Sequence, residues 1–334
     1  MGHIEQDNGH PVQQILRFHF TDRVSVANKE NWCNVTSLIR ASAQGAYYRD
    51  LSLDKRIRFV HDFLLARVWY IAQIFPLTSD SMRQINTTIT WFIWHGEIFR
   101  VALSTLQRER YTGGWDLVNI WAKSRALFIY SLQAQGRHER SFMGASLKSW
   151  NIHTGADNPP YLNLIPTMLG YLREYMTAVA YIRHRDNTES DTAYKKRLYT
   201  SLKELFHVHN AQQMMQITRL WPNAGWESIW RNLQVAPVSR LYKATWYKVI
   251  HDIFPTNVRL HRIKMSPTDT CKDCSCKDSI GHHLTKCVEG PTTWGWTKII
   301  IVRILHTTTA NIPDEWLVCP QISLWPPQCH RAVL

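Results

Sequence analysis

The sequence predicts a mainly α-helical protein, made of helical bundle blocks and a small separate module near the C terminus. Apolar residues recur at steps of three and four in several long segments, which is the spacing of one helix face. Alternation of apolar and polar residues, which is typical of a half-buried strand, is rare. Four of the seven cysteines lie within residues 271–287 and mark the separate module.

Three helices are predicted in the first 135 residues. The first ends before Pro76, because proline cannot continue a helix. The second is predicted to be capped by Asp80, and the third follows a tight turn at Gly113-Gly114. Their apolar faces are Ile57, Val60, Leu64, Val68 and Ile71; Met82, Ile85, Ile89 and Phe92; and Leu117, Ile120, Trp121 and Leu127 to Tyr130.

The rest of the chain divides at polar, glycine-containing and proline-containing stretches. Helical spacing returns from Tyr161 to Ile182 and from Thr192 to His207, and a short helix carries Trp226 and Trp230. The predicted blocks are a helical block at 1–135, a loop or hinge at 136–159, a second helical block at 160–236, a basic segment with the cysteine module at 237–290, and a tail at 291–334.

The composition is that of a globular protein with a polyanionic partner. The chain has 334 residues, of which 45% are hydrophobic and 19% charged, which excludes a disordered or collagen-like chain. Its 39 Lys and Arg residues against 26 Asp and Glu give a net charge of +13. A charge of this sign predicts nucleic acid or an anionic membrane surface as the partner. No basic amphipathic segment is free of the core pattern, so nucleic acid is favoured.

The sequence contains no recognisable export or membrane segment. Residues 1–30 lack a continuous apolar run, so no signal peptide is predicted. The most apolar stretch, 59–77, carries His61, Asp62 and Arg67 and is too polar to cross a bilayer. We therefore expect an intracellular protein of the nucleus or cytoplasm, not secreted, with no membrane partner and no small-molecule substrate.

A basic segment precedes the cysteines. The pattern predicts a helix at residues 240–250, which Phe254-Pro255 breaks. Thr256 is predicted to cap a second helix. Two basic helices joined at a proline bend can follow a phosphate backbone, whereas the alternative is a solvated helix face. Trp246 is predicted to be buried and Tyr247 partly exposed. The predicted phosphate contacts are Arg240, Lys243, Lys248, Arg259, Arg262 and Lys264.

The cysteine module has the spacing of a metal site. Cys271 and Cys274 enclose two residues, His282 follows after seven more, and Cys287 after a further four. Three thiolates and one imidazole can surround one tetrahedral Zn²⁺ and leave no open position, so the zinc is predicted to be structural. The spacing leaves two alternatives open, Cys276 in place of Cys274 and His283 in place of His282. Buried free cysteines with a capping histidine are the non-metal interpretation.

The proline bend and the cysteine spacing together resemble the end of the reverse transcriptase encoded by non-LTR (LINE-type) retrotransposons of arthropod type. The resemblance is strongest at Gly-Gly-Trp-Asp-Leu (113–117) and at the Cys/His module, and covers nearly the whole chain. It implies a thumb-like block at 1–135 with connecting helices, a CCHC zinc knuckle ligated by Cys271, Cys274, His282 and Cys287, and a region that holds template RNA or target DNA.

The departure from that family concerns catalysis. Its polymerases bind metal ions with a paired Asp-Asp, and this sequence contains no such pair. No palm, fingers or endonuclease region is recognisable either, so we expect a truncated, catalytically inactive remnant that binds RNA or DNA. His95-Gly96-Glu97 superficially resembles a deaminase motif, but 173 residues separate Glu97 from Cys271. A helical bundle stapled by zinc, with a structural or protein-interaction role, is the alternative function.

Overall fold

A computed structural model confirms the mainly helical fold, with 68% of the described residues in helices. The predicted loop after residue 136, the helix from Tyr161 to Ile182, the polar stretch up to residue 187 and nearly all of the tail beyond Leu305 lie outside the described residues. The structure describes residues 4–7, 10–15, 18–20, 24–98, 100–136, 188–205, 226–235, 239–305 and 312.

Three short strands precede a series of helices that continues to residue 305. In chain order the elements are β1 (Ile4–Asp7), β2 (His10–Ile15), β3 (Phe18–Phe20), α1 (Val24–Tyr47), α2 (Leu53–Phe59), a π-helical turn (Val60–Leu64), α3 (Leu65–Ala72), α4 (Ser79–Ile93), α5 (Leu103–Leu106), a 3-10 turn (Arg110–Thr112), α6 (Ile120–Gly136), α7 (Asp191–Leu205), α8 (Trp226–Val235), α9 (Arg240–Ile250), α10 (Asn257–Arg262), α11 (Ile280–Thr285) and α12 (Glu289–Leu305).

The chain forms two compact units, each assembled from three stretches of sequence. The first unit contains Met1–Arg49, Arg58–Phe92 and Val118–His209, and the second contains Asp50–Ile57, Ile93–Leu117 and Asn210–Leu334. This division does not test the blocks predicted from the sequence, which stay a prediction.

A small antiparallel sheet opens the first unit. Strands β1, β2 and β3 pair in sequence order, with Ile4 opposite Gln13 and Gln13 opposite Phe20. These strands are not among the predicted elements. The dipeptide Asn8-Gly9, which separates β1 from β2 in the sequence, is a strong hairpin signal and would have indicated them.

Hydrogen bonds fix α1 to the sheet and to the segment before α4, and an aromatic stack joins the sheet to α3. The Asn31 side chain accepts a hydrogen bond from the His19 N–H at 2.9 Å and donates one to the His19 carbonyl at 2.8 Å. The fully buried Trp32 donates from Nε1 to the carbonyl of Pro76 at 2.9 Å. Phe18 stacks on Tyr70 with ring centroids 4.9 Å apart.

The first predicted helix is confirmed as α2, the π-helical turn and α3. Its predicted apolar residues are all buried: Ile71, the most exposed of them, is 6% exposed. Ile85, Ile89 and Phe92 of α4 are buried as well. The predicted cap of α4 is wrong: the Thr78 hydroxyl accepts from the Ser81 N–H at 3.2 Å, while Asp80 pairs with Arg83 on the surface.

The glycine turn of the second unit is confirmed, and its surroundings explain both glycines. Gly113 has a φ of +86°, and a Cβ there would lie 2.7 Å from Cζ2 of Trp230. A Cβ on Gly114 would lie 1.9 Å from the Arg108 carbonyl oxygen. A side chain at either position would force the turn to move.

The buried face of α9 differs from the predicted one. The Tyr247 hydroxyl donates to the Gly113 carbonyl at 3.0 Å, and the Tyr247 ring packs against Trp115 and Trp230. Tyr247 is 1% exposed and Trp246 is partly exposed, so the prediction for this pair is wrong. Helical spacing alone indicated one aromatic face, and the partners from the glycine turn decided which face is buried.

Candidate metal centre

Three cysteines and one histidine meet within the second unit, and this group could hold a metal ion. Their ligand atoms all lie within 4.8 Å of one another. Cys271 Sγ is 3.9 Å from Cys287 Sγ, and Cys274 Sγ is 3.1 Å from His282 Nε2. Cys271, His282 and Cys287 are buried, at 3% to 5% exposure, and Cys274 is partly exposed. These are the four residues that the spacing and the resemblance single out: Cys271, Cys274, His282 and Cys287.

A tight backbone loop positions the first two thiols. The Cys271 N–H donates to the Cys276 carbonyl at 2.7 Å, and the Ser275 N–H donates to the Cys271 carbonyl at 3.0 Å. Ser275 takes a left-handed φ of +59° to close the loop, and Thr270 pairs with Lys277 at its base. The loop thereby brings Cys274 back beside Cys271 across only two intervening residues.

Helix α11 supplies the other two ligands. The Ser279 hydroxyl caps it by accepting from the His282 N–H at 3.1 Å, which places His282 in the first turn. The Cys287 N–H donates to the His282 carbonyl at 2.7 Å and so holds Cys287 just beyond the helix end. A serine cap and a short helix therefore bring the imidazole and the third thiol to the loop.

Burial decides between the ligands that the spacing leaves open, Cys274 or Cys276 and His282 or His283. Cys276 is exposed and is not a member of the cluster. His283 is exposed too, and its Nε2 lies against the Asp278 carboxylate. Because His282 and His283 are consecutive on one helix, they point about 100° apart, and only one can reach the thiols.

The donor set fits a tetrahedral metal. Thiolates bound at 2.3 Å to a tetrahedral Zn²⁺ lie about 3.8 Å apart, close to the spacing of Cys271 and Cys287. Soft thiolates with one imidazole are the ligands that suit zinc, and four protein ligands close the coordination sphere. Such a site can stabilise a fold but offers no position for a reacting water.

Metal binding at this cluster is coupled to proton release. The pKa of Cys274 is raised to about 11. A hydrogen bond with the Cys276 backbone, the largest single effect, lowers it, but desolvation and the thiols of Cys271 and Cys276 together outweigh that effect. A thiol binds a metal as the thiolate, so a bound cation has to displace these protons, and affinity falls as the pH falls.

The cluster is tied directly to the start of the second basic helix. The Asn257 N–H donates to the Asp278 carboxylate at 2.6 Å, and its side chain donates to the Thr270 carbonyl at 2.8 Å. The Val258 N–H donates to the Asp278 carbonyl at 3.2 Å. The predicted cap of this helix by the Thr256 side chain is not formed. Asp278 caps α10 instead, and it belongs to the segment 271–287 that holds the four candidate ligands, here called the metal loop.

The six predicted phosphate contacts lie in different environments. Lys248 forms an ion pair with Glu97, and Lys243 donates to the Gln234 carbonyl at 2.6 Å. Arg259 donates to the Asp252 carbonyl at 2.6 Å, beside the bend. Arg240 is exposed and lies 3.8 Å from Asp54. Arg262 and Lys264 are exposed at the end of α10.

Charges at the bend are partly balanced by internal groups. Burial lowers the pKa of Lys243, with Arg240 adding to the effect and Asp54 opposing it. Burial raises the pKa of Asp252, and the guanidinium groups of Arg259 and Arg262 counteract that rise. The cations best placed for an external partner are therefore Arg262 and Lys264, together with the exposed Lys272 and Lys286, whereas the exposed Lys277 lies 3.8 Å from the Asp269 carboxylate.

Two further findings bear on function. Among the described residues, no helix combines the length and apolarity that a membrane crossing requires. No family model matches the chain, and no curated protein matches it either.

Proposed function

We propose that this chain binds single-stranded RNA or DNA with little sequence preference, through a basic surface held in shape by one structural zinc ion. Cys271, Cys274, His282 and Cys287 would ligate the zinc. The ion would supply folding energy rather than catalysis, because four protein ligands leave no open position.

One observation carries this proposal: the metal loop caps the basic helix. The contacts of Asp278 with Asn257 and Val258 make the start of α10 depend on the loop that the four ligands close. Arg262 and Lys264 lie at the other end of that short helix. A metal that orders the loop therefore also orders the helix that presents these cations.

The chemistry of the exposed side chains supports a polyanionic partner. Residues 262–286 carry five exposed Lys and Arg side chains against three aspartates, Asp269, Asp273 and Asp278, which leaves a net positive charge on this segment. Contacts between such cations and phosphates release counterions, so binding is strong at low salt and tolerant of sequence. Lys243, Lys248 and Arg259 would mainly shape the bend. Arg262 and Lys264 would contact phosphate, and the exposed Arg240 would do so only in competition with Asp54, 3.8 Å away.

The proposed origin follows from the resemblance. The chain would be a catalytically inactive relative of the C-terminal part of a LINE-type reverse transcriptase, since it lacks the paired aspartates that polymerisation needs. An RNA-binding or DNA-binding role of this kind would be exercised in the nucleus or cytoplasm.

A second candidate function is a structural or protein-interaction bundle stapled by zinc. The internal partners of Lys243, Lys248 and Arg259 favour it, because cations already used within the fold contribute less to an external surface. On this alternative the net charge serves solubility alone.

A salt series on a labelled single-stranded RNA separates the two functions. Replacing Arg262→Gln and Lys264→Gln together should weaken binding and reduce the slope of log K against log salt by about 1.4, since each single-strand contact contributes about 0.7. The matched control, Lys29→Gln with Lys196→Gln, removes the same charge from exposed positions in the first unit. Equal slopes for both variants would favour the structural bundle.

A further inference from the structure

Helix α12 packs on α11 with one side and exposes large apolar side chains on the other. On the packed side, a Cβ on Gly290 would lie 1.8 Å from a carbonyl oxygen of α11, and Ile301 is 6% exposed. On the other side, Trp296 is 65% exposed, Ile299 39% and Ile300 56%. An amphipathic helix normally turns polar residues to water at such positions, so this outer face is the exception to be explained.

The exposed residues form one continuous stripe along the helix. Trp296, Ile299 and Ile300 are three and four residues apart, which makes them neighbours on a helix surface. The exposed Thr292 precedes Trp296 by one turn, and its hydroxyl donates to the Val288 carbonyl of its own helix at 2.8 Å. A stripe that contains a tryptophan and two isoleucines and whose polar hydroxyl is already satisfied is typical of a protein contact surface.

The charges along this stripe indicate which partner it fits. Glu289, the first residue of α12, lies seven residues before Trp296, and the exposed Arg303 lies seven residues after it. Seven residues are almost two turns, so the three positions share one side of the helix. In an antiparallel pair centred on Trp296, position 289 of each copy lies opposite Arg303 of the other. The same register places Thr292 opposite Ile300 of the second copy. The face is therefore complementary to itself, as a two-fold interface requires.

We propose that α12 binds α12 of a second copy of this chain, as an antiparallel pair centred on Trp296. Burial of Trp296, Ile299 and Ile300 against their counterparts drives the contact, and the opposite charges at its two ends set its direction. A parallel pair would place like charges opposite each other at both ends. The pair uses none of the six predicted phosphate contacts, so it stands apart from the proposed function.

The first experiment measures the mass of the full-length protein, purified with zinc, by sedimentation over a series of concentrations. The wild type should approach twice the mass of one chain, whereas Trp296→Glu and Ile300→Glu should each remain monomeric. Leu38→Glu, at an exposed apolar position of α1, is the matched control and should dimerise as the wild type does. Circular dichroism should show equal helix content in all four proteins, because the three substituted side chains are exposed. A wild type that is monomeric up to about 100 μM, or a Trp296→Glu variant that still dimerises, would overturn the proposal.

A charge exchange tests the register of the pair. Arg303→Glu and Glu289→Arg should each raise the dissociation constant of the dimer by about tenfold, because each change places like charges opposite each other at both ends. The double variant Glu289→Arg with Arg303→Glu should return to the wild-type value, since opposite charges face each other again. A parallel pair would not respond in this way, because its ends carry like charges in the wild type and in every variant. Single variants as tight as the wild type, or a double variant as weak as the single ones, would overturn the antiparallel pair.

A lipid surface is the other occupant that the experiment has to separate. The probe is a vesicle of phosphatidylcholine with phosphatidylserine, mixed with wild type or Trp296→Glu. If the wild type remains monomeric and sediments with the vesicles while Trp296→Glu does not, the stripe binds a membrane and the proposal fails. A dimer with no RNA binding would refute the proposed function alone, and RNA binding by a monomer would refute the helix pair alone.

Discussion

The helical core around Trp32 and the metal loop at 271–287 are held together by different forces. Around Trp32, large apolar side chains from α1, α3 and α4 are completely buried, Ile39, Leu65 and Ile89 among them. Within the described residues of the metal loop, which include α11, the buried side chains are Cys271, Asp278, Ile280, His282 and Cys287, and Ile280 is the large aliphatic one among them. Apolar burial stabilises the first region, whereas the second depends on four ligand atoms and whatever binds them.

The two regions should therefore respond differently to the loss of a single side chain. Removing one large side chain from the core leaves a cavity, and the helices around it persist. Removing one ligand from the loop would abolish the proposed metal site, which would take the place of a hydrophobic core there. Four measurements can test this contrast.

Loss of the metal should unfold the loop and spare the helical core. We expect Cys287→Ser to reduce bound zinc from one equivalent to none, since structural zinc contributes on the order of 10 kcal/mol in isolated modules. Amide hydrogen exchange should become fast in residues 271–287 and stay slow in α3, and elemental analysis gives the zinc content. Cys276→Ser, an exposed cysteine outside the cluster, is the control and should retain the metal. Equal zinc content in the two variants would contradict the site.

The core should respond in the opposite way. Trp32→Ala should lower the free energy of unfolding by about 3–5 kcal/mol, because it creates a large cavity and leaves the Pro76 carbonyl without its donor. Zinc content should not change. Leu38→Ala, an exposed apolar residue of the same helix, should cost less than about 0.5 kcal/mol. Both values follow from urea unfolding, and zinc loss in Trp32→Ala would show that the two regions do not unfold independently.

A smaller effect should come from His251, at the end of α9. Burial lowers its pKa from 6.5 to about 4, although the hydrogen bond to the Gly113 carbonyl opposes the shift. The unfolded chain therefore takes up a proton near pH 6.5 that the folded chain accepts only near pH 4. Stability is complete above about pH 6.5 and falls as the pH decreases to 4, by up to about 3 kcal/mol.

The measurement compares urea unfolding at pH 7 and pH 4.5 for three proteins. The metal ligands also take up protons in this range, so the change in the free energy of unfolding of the wild type with pH is not diagnostic by itself. His251→Phe should reduce the change in the free energy of unfolding between the two pH values. His261→Gln, at an exposed histidine, should leave that change as it is in the wild type. Identical changes in all three would mean that His251 is not protected from protonation in the fold.

The smallest effect should come from the exposed cations at the end of α10. Arg262→Gln alone should lower the slope of log K against log salt by about 0.7 in the single-stranded RNA assay, because one phosphate contact is lost. Lys248→Gln should change that slope less, since Lys248 is paired with Glu97 inside the fold. A larger change for Lys248→Gln than for Arg262→Gln would contradict the division between shaping and contacting cations.

Much of the helical framework could be predicted from the sequence. The steps of three and four between Ile57 and Ile71 identified a helix whose predicted face is buried along its whole length. The spacing from Cys271 to Cys287 identified the cluster, although it left Cys276 open in place of Cys274 and His283 in place of His282. Both patterns are local, because a helix turn or a short loop brings their members together without help from the rest of the chain.

Other features could not be derived from local spacing. Tyr247 is buried rather than Trp246 because the glycine turn, 134 residues earlier in the chain, provides its hydrogen-bond acceptor. The Thr256 cap is replaced by Asp278, which arrives from the metal loop and lies 21 residues after Asn257. Each of these outcomes depends on a partner that only the folded chain brings near.

The helical periodicity, the positive charge and the cluster of candidate ligands could be predicted from residue order alone, since each depends on composition or on neighbours within a few turns of chain. Which cations remain exposed depends on the folded chain, where Arg262 and Lys264 lie at the surface and Lys248 pairs with Glu97. The physical reason is that exposure and pairing are properties of distances across the fold, which residue spacing does not encode.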